Sequence, residues 1–282
     1  MKFQIISIQT LLALIFMSCG GNTDTQSGST STETEGIPAP AALSYTLLHS
    51  YPHDTAAFTQ GLEIYQGKFI ESTGLMGRST LRTVDIKTGK HQNHVSLGND
   101  IFAEGVTVFR DTVYQLTWQN HEVYMYDAKK GMKKIGTLPW SSEGWGITHD
   151  SSQLIISEGS DKLYFVAPGT LKLNSVLSVR DTYGPVNNLN ELEMIGGYIY
   201  ANRWQYDYIL KIDPKTGLVV GTLAMDDFLR KNSKSDLSYL TRRGTIADNG
   251  AVLNGIAYDP ATGKTYITGK LWPEVFEIEI VK

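Results

Sequence analysis

Five short segments of this sequence could bring polar chemistry to one place. They are Thr59-Gln60-Gly61-Leu62, Ala103-Glu104-Gly105-Val106, Gly144-Trp145-Gly146-Ile147, Leu189-Asn190-Glu191-Leu192 and Leu253-Asn254-Gly255-Ile256. Gly recurs in four of the five, with Glu191 in its place in the fourth, while the residue before that position varies: Gln60, Glu104, Trp145, Asn190, Asn254. A motif serving packing alone would repeat one residue type. One carboxylate, three amides and an indole instead suit a binding site in which Glu104 can take and return a proton. Cys19 is the only cysteine, so the domain beyond it has neither a disulfide nor a thiol nucleophile. His91-Gln-Asn-His94 has ligand-like spacing, yet no acidic or Cys set accompanies it, and it reads as a surface loop. No metal site is expected.

The elements that would position these residues are strands. Lys68–Thr73, Thr112–Thr117, Gln153–Ser157, Tyr198–Asn202 and Lys264–Thr268 are short runs of Val, Ile, Tyr, Thr and Leu between turn residues. Each repeat continues into a hairpin turn, as in Asp85-Ile-Lys-Thr-Gly89, Asp127-Ala-Lys-Lys-Gly131, Pro168-Gly-Thr170 and Asp213-Pro-Lys-Thr-Gly217. A spacing of roughly 40–60 residues is that of four-stranded propeller blades. The sequence therefore predicts an all-β fold, a five-bladed β-propeller. Its fifth repeat ends at Val275–Ile280 without room for a last strand, while Tyr45–Tyr51 is a strand without a repeat. Pairing the N-terminal strand with the last blade would close the ring and remove both edges. No linker divides residues 41–282, which argues against a sandwich or two small β domains. Met225–Leu240 is the one helix-like segment, an insertion lying over the domain.

The N-terminus reads as a separate module. A basic start, an apolar run from Ile5 to Met17 and the pair Ser18-Cys19 resemble the leader of a bacterial lipoprotein, with residues 1–18 removed and Cys19 lipidated. Residues 19–40 are then a polar, flexible tether, and 41–282 the propeller. Gly20-Gly21-Asn22 follows Cys19 with no Asp, which favours the outer membrane, facing the periplasm, over inner-membrane retention. The formal charge of -4 comes without a basic stripe, so nucleic acid is not an expected partner.

In order along the whole domain, the sequence resembles the glutaminyl cyclases of plants and bacteria. The resemblance rests on Phe58-Thr-Gln-Gly-Leu62, Glu71-Ser-Thr-Gly-Leu75, Gly77-Arg78-Ser79, Glu104-Gly-Val-Thr, Leu116-Thr-Trp118, Glu143-Gly-Trp145-Gly, Leu189-Asn-Glu-Leu-Glu193, Ala201-Asn-Arg-Trp204, Leu253-Asn-Gly-Ile-Ala257 and Thr268-Gly-Lys-Leu-Trp272. The Met225–Leu240 insertion has no match. The resemblance implies closure of an N-terminal glutamine to pyroglutamate with loss of ammonia, needing no cofactor and no enzyme nucleophile. It puts the family's catalytic carboxylate at Glu104, its amide- and oxyanion-binding groups at Asn190 and Lys270, and its pocket at Phe58, Gln60, Trp118, Trp145 and Trp204. The indole N–H groups would be available as donors, and burial among the rings would lift Glu104 towards neutrality. Arg203, Glu191 and Glu193 read as a supporting network. The implied partners are peptides or proteins beginning with glutamine, met by a monomer that touches the membrane only through its lipid. Two other classes compete: a propeller that binds proteins at the envelope without catalysis, and a calcium-dependent lactonase or quinone-type dehydrogenase. A lactonase would need several carboxylates converging on an ion, where the repeat starts offer one.

Overall fold

The turns between repeats show how local sequence sets the strands. In the first, the Asp85 carboxylate accepts from the Thr88 amide at 2.9 Å and from its hydroxyl at 2.7 Å, and Gly89 takes the positive φ of 66° that ends the turn. Asp213 and Gly217 repeat the device. The computed structural model describes residues 36–241 and 250–281; the leader, Cys19 and the tether up to residue 35 lie outside the described residues.

Within them the strands form blades. Blade 1 is Thr59–Tyr65, Lys68–Thr73, Thr80–Val84 and His91–Ser96. Blade 2 is Ala103–Phe109, Thr112–Thr117, Glu122–Asp127 and Lys133–Pro139. Blade 3 is Ile147–His149, Leu154–Ser157, Lys162–Val166 and Leu173–Ser178, followed by a small hairpin, Arg180–Asp181 with Gly184–Pro185. Blade 4 is Leu189–Ile195, Tyr198–Arg203, Tyr208–Ile212 and Val219–Ala224. Blade 5 has three strands of its own, Leu253–Asp259, Lys264–Gly269 and Glu274–Val281.

Its fourth is the N-terminal strand Ala41–Pro52, antiparallel to Glu274–Val281 with Tyr45 opposite Ile280. This is the ring closure the sequence leads one to expect. The same strand also runs parallel to the outer strand of blade 4, with Ala41 opposite Gly221, so blades 4 and 5 merge into one eight-stranded sheet. The second pairing has no sequence signature, because a register between distant edges depends on the blade twist.

Five apolar clusters fill the five blade-to-blade interfaces. Ile70 and Leu81 of blade 1, for example, pack with Val106, Val113 and Tyr126 of blade 2. Innermost strands are buried along their starts, while outer strands such as His91–Ser96 are mostly exposed. The recurring glycines answer to close approach at the axis. A Cβ on Gly105 would stand 2.8 Å from the Trp145 carbonyl oxygen, and one on Gly146 only 1.9 Å from that of Asn190. In blade 4 the position is Glu191. Its side chain reaches across the axis and accepts the Leu62 amide at 3.3 Å and the Ile256 amide at 2.9 Å, the amides that follow Gly61 and Gly255. Glu193 likewise accepts from the Tyr258 amide at 2.7 Å.

Two expectations need correction. Met225–Leu240 is not one helix but two short ones, Phe228–Asn232 and Ser238–Thr241, with the chain extended at Ser233; Phe228, Leu229 and Leu240 are buried against blade 5, so packing holds the segment more than helix propensity does. His91 and His94 lie not in a loop but on the outer strand of blade 1, both exposed.

Candidate active site

The innermost strands of blades 1, 2, 4 and 5 carry their polar, axial residue at the second position: Gln60, Glu104, Asn190 and Asn254. In blade 3 the innermost strand begins only at Ile147, and Trp145 stands two residues before it. A second tier comes from the residue just after the second strand of a blade: Trp118 in blade 2, Trp204 in blade 4 and Lys270 in blade 5. One repeated hydrogen bond sets that tier. The Trp118 amide donates to the Phe102 carbonyl at 3.0 Å, Trp204 to Asn188 at 2.8 Å and Lys270 to Val252 at 2.9 Å. In every case the acceptor lies two residues before the axial residue of the same blade, so backbone pairing aims the upper side chains over the lower ones.

Together they enclose a cavity of about 310 Å³, lined by Phe58, Gln60, Phe102, Glu104, Trp118, Trp145, Asn190, Trp204 and Lys270. Such a volume lies at the small end of the roughly 300–1,000 Å³ typical of ligand pockets. All eight residues that sequence reasoning placed in the site border it. Phe102 is the addition. It packs edge to face with Phe58 at 6.3 Å and lies 5.8 Å from Trp118 between ring centroids. Its signal was present: Phe58-Thr-Gln60 and Phe102-Ala-Glu104 put the same aromatic two residues before the axial residue. On the other side Trp145 and Trp204 meet at 5.6 Å and 90°.

Among the described residues Glu104 is the one carboxylate lining this cavity, and none of them hydrogen-bonds it. Glu63, Glu71, Glu191 and Glu193, the other buried carboxylates of blades 1 and 4, all accept protein hydrogen bonds. Burial lifts the Glu104 pKa well above the usual carboxylate range; Lys270 opposes the rise and Glu143 adds to it. Lys270 is a buried ammonium, 5% exposed, with Nζ 4.8 Å from the centre of the Phe58 ring. Burial pushes it down to about 8 against the pull of Glu104. Gln60 Oε1 accepts from Asn254 Nδ2 at 3.3 Å, which leaves the Gln60 NH₂ as its donor, and Asn190 Oδ1 is buried without a partner among the described residues.

The indoles differ from expectation in one respect. Trp118 Nε1 and Trp145 Nε1 both donate to Glu143, at 2.9 and 3.0 Å, and so are not open donors. Arg203 stands outside the cavity, donating to the Asn187 carbonyl at 2.8 Å and stacking over Tyr206. Glu63 and Glu193, near the far ends of their strands, border a different cavity with Thr148 and His149. No group of three or more His, Cys, Asp or Glu among the described residues is arranged to hold a metal ion.

Comparison with known proteins agrees with this geometry. A curated glutaminyl-peptide cyclotransferase of Arabidopsis thaliana is 37% identical over 232 residues, spanning 82% of this chain and 69% of that protein. The crystal structure of Myxococcus xanthus glutaminyl cyclase superposes with a TM-score of 0.77 at 36% identity, covering 86% of this chain and 98% of the other. The sequence model of glutamine cyclotransferases matches residues 16–280, and the chain therefore belongs to the glutamine cyclotransferase family.

Proposed function

We propose that this glutaminyl cyclase converts the N-terminal glutamine of peptides and proteins to pyroglutamate without a metal, with Glu104 as proton carrier. The observation that carries the assignment is the Glu104 carboxyl itself: buried, facing the cavity, and given no hydrogen bond by any of the described residues, where the neighbouring buried carboxylates are bonded. The substrate's α-amine attacks the side-chain amide carbon, forming the ring C–N bond. Ionised Glu104 takes the proton that this nitrogen loses and gives it to the departing nitrogen, which leaves as ammonia when its C–N bond breaks. One carboxyl group serves both transfers because the two nitrogens are held on one ring. The oxyanion formed between the steps is stabilised by the Lys270 ammonium, with the Gln60 NH₂ as a second donor. Asn190 Oδ1 accepts from the substrate amide.

Phe58, Phe102, Trp118, Trp145 and Trp204 hold the flexible side chain folded on itself, so its rotational freedom is lost on binding rather than at the barrier. The test is stoichiometric: one ammonia and one blocked N-terminus per glutaminyl peptide, at a rate unchanged by EDTA or phenanthroline. Loss of turnover with chelator and recovery with added metal would defeat the metal-free step. The same reading places the enzyme as a monomer on the bacterial outer membrane, facing the periplasm and held by a lipid on Cys19. Wild type should partition into detergent and Cys19→Ser should not; equal partitioning into water would remove the anchor.

A further inference from the structure

The aromatic wall of the cavity comes in two arcs. Phe58, Phe102 and Trp118 form one, Trp145 and Trp204 the other. Glu143 bridges them. It lies in the loop between blades 2 and 3, outside the cavity lining, and its Oε2 accepts both indole N–H groups, from Trp118 at 2.9 Å and Trp145 at 3.0 Å. Gln119 Nε2 donates to Oε1 at 3.1 Å. The Glu143 backbone is fixed in turn: its carbonyl accepts from Trp140 Nε1 at 3.1 Å. The next residue, Gly144, has no room for a side chain, because a Cβ there would stand 2.9 Å from the Thr117 carbonyl oxygen. Three indoles and a glycine thus hold one carboxylate in place, and that carboxylate holds two walls of the site.

We propose that Glu143 is a positioning residue for cyclisation, locking the two aromatic arcs into one enclosure and turning two indole N–H groups away from the substrate. Glutamine then meets indole faces, which grip without competing for the carbonyl that Lys270 must polarise. The inference rests on the cyclase reading of the cavity. It also assigns Glu143 an electrostatic part. Burial would raise its pKa, but the bonds from Gln119, Trp145 and Trp118 hold it below the usual range, so it is charged at neutral pH. That charge lifts Glu104, whose other charged neighbour is Lys270, while the His121 imidazole faces Glu143 itself.

The experiment uses Glu143→Gln, which keeps volume and one acceptor but loses the charge, with Trp118→Phe, which keeps a ring but loses the donor. In ¹⁵N-labelled protein the indole cross-peaks of Trp118 and Trp145, assigned by Trp→Phe variants, are expected to move in Glu143→Gln while those of Trp204 and Trp272 stay. kcat/KM for a glutaminyl peptide should fall roughly 10–100-fold, as expected for a loosened reactive geometry. The acid limb of its pH profile should move down by on the order of half a pH unit, the effect of deleting one nearby negative charge. The double variant should lose less than the product of the single losses. Unmoved indole peaks, or kcat/KM within about threefold of wild type with an unmoved acid limb, would overturn the proposal, since tenfold is only about 1.4 kcal/mol. Shifted peaks in a protein whose wild type makes no pyroglutamate would instead sink the cyclase reading and leave the clamp standing.

Discussion

Replacing Lys270 by Met should make the protein more stable and far less active. The buried ammonium titrates at about 8 rather than 10.5, the work of desolvation only partly offset by Glu104. A depression of that size corresponds to up to roughly 3 kcal/mol of folding free energy at pH 7. The sign is the reverse of the usual lysine: the unfolded chain binds the proton more tightly, so this group weakens the fold below pH 8, and stability recovers as pH rises from about 8 towards 10.5. Methionine fills similar space without charge, so the midpoint of urea unfolding at pH 7 should rise and its pH dependence above 8 should flatten. Activity should move the other way. Loss of an oxyanion donor costs about 10²–10³-fold in kcat. The alkaline limb of the wild-type kcat profile, expected near 8, should vanish, and the acid limb should move up because Glu104 loses the cation that lowers its pKa. Unfolding curves at several pH values and steady-state ammonia release suffice. A variant less stable than wild type, or one retaining more than about a tenth of wild-type kcat, would show that Lys270 is not a buried charge kept for the oxyanion.

At the seam between blades 5 and 1, His53 places Nε2 2.8 Å from Glu71 Oε1 and Nδ1 2.8 Å from the Trp272 carbonyl, and Arg82 closes the network from Glu71 to Asp54. Burial would lower the His53 pKa, but the Glu71 carboxylate overrides it and raises it, so its contribution is complete below about 6.5 and is lost as pH rises through the higher folded value. His53→Gln should therefore lower the unfolding midpoint by an amount worth about 3–5 kcal/mol at pH 6, with a smaller difference at pH 9; an equal loss at both would remove the charged pair from the explanation. Trp118→Ala should raise KM more than it lowers kcat, because a wall binds ground and transition states alike; a pure kcat effect in steady-state kinetics would give Trp118 a different role.

Most of the site was legible because a propeller converts sequence repetition into spatial convergence. Gln60, Glu104, Asn190 and Asn254 stand at one position of successive repeats, so finding the repeat places them together. Trp118, Trp204 and Lys270 share a second such position, although that equivalence emerges only once the strand ends are known. What stayed hidden depends on contacts between blades. Glu143 looks like a loop carboxylate until the indole of Trp118 in blade 2 and that of Trp145 in its own loop both point at it. Glu191 breaks the glycine pattern for a reason visible only across the axis, where it accepts amides of blades 1 and 5. Glu71 opens a segment shared with the cyclases, but its partners His53 and Arg82 have no motif spacing to it and meet it because the ring closes there. The helix-like pattern of Met225–Leu240 misled because its apolar residues answer to the blade surface beneath them rather than to one continuous helical face.

Glu104→Gln tests the central claim most directly. Gln keeps the volume and polarity of the side chain, so folding by circular dichroism and binding of a glutaminyl peptide should be nearly unchanged, while the amide can neither accept the amine proton nor deliver it to ammonia. Positioned acid–base transfer contributes about 10²–10⁴-fold, and ammonia release in the steady state should fall by at least that range, in kcat rather than KM. A folded Glu104→Gln protein that keeps more than about a tenth of wild-type kcat would contradict the assignment of Glu104 as the proton carrier.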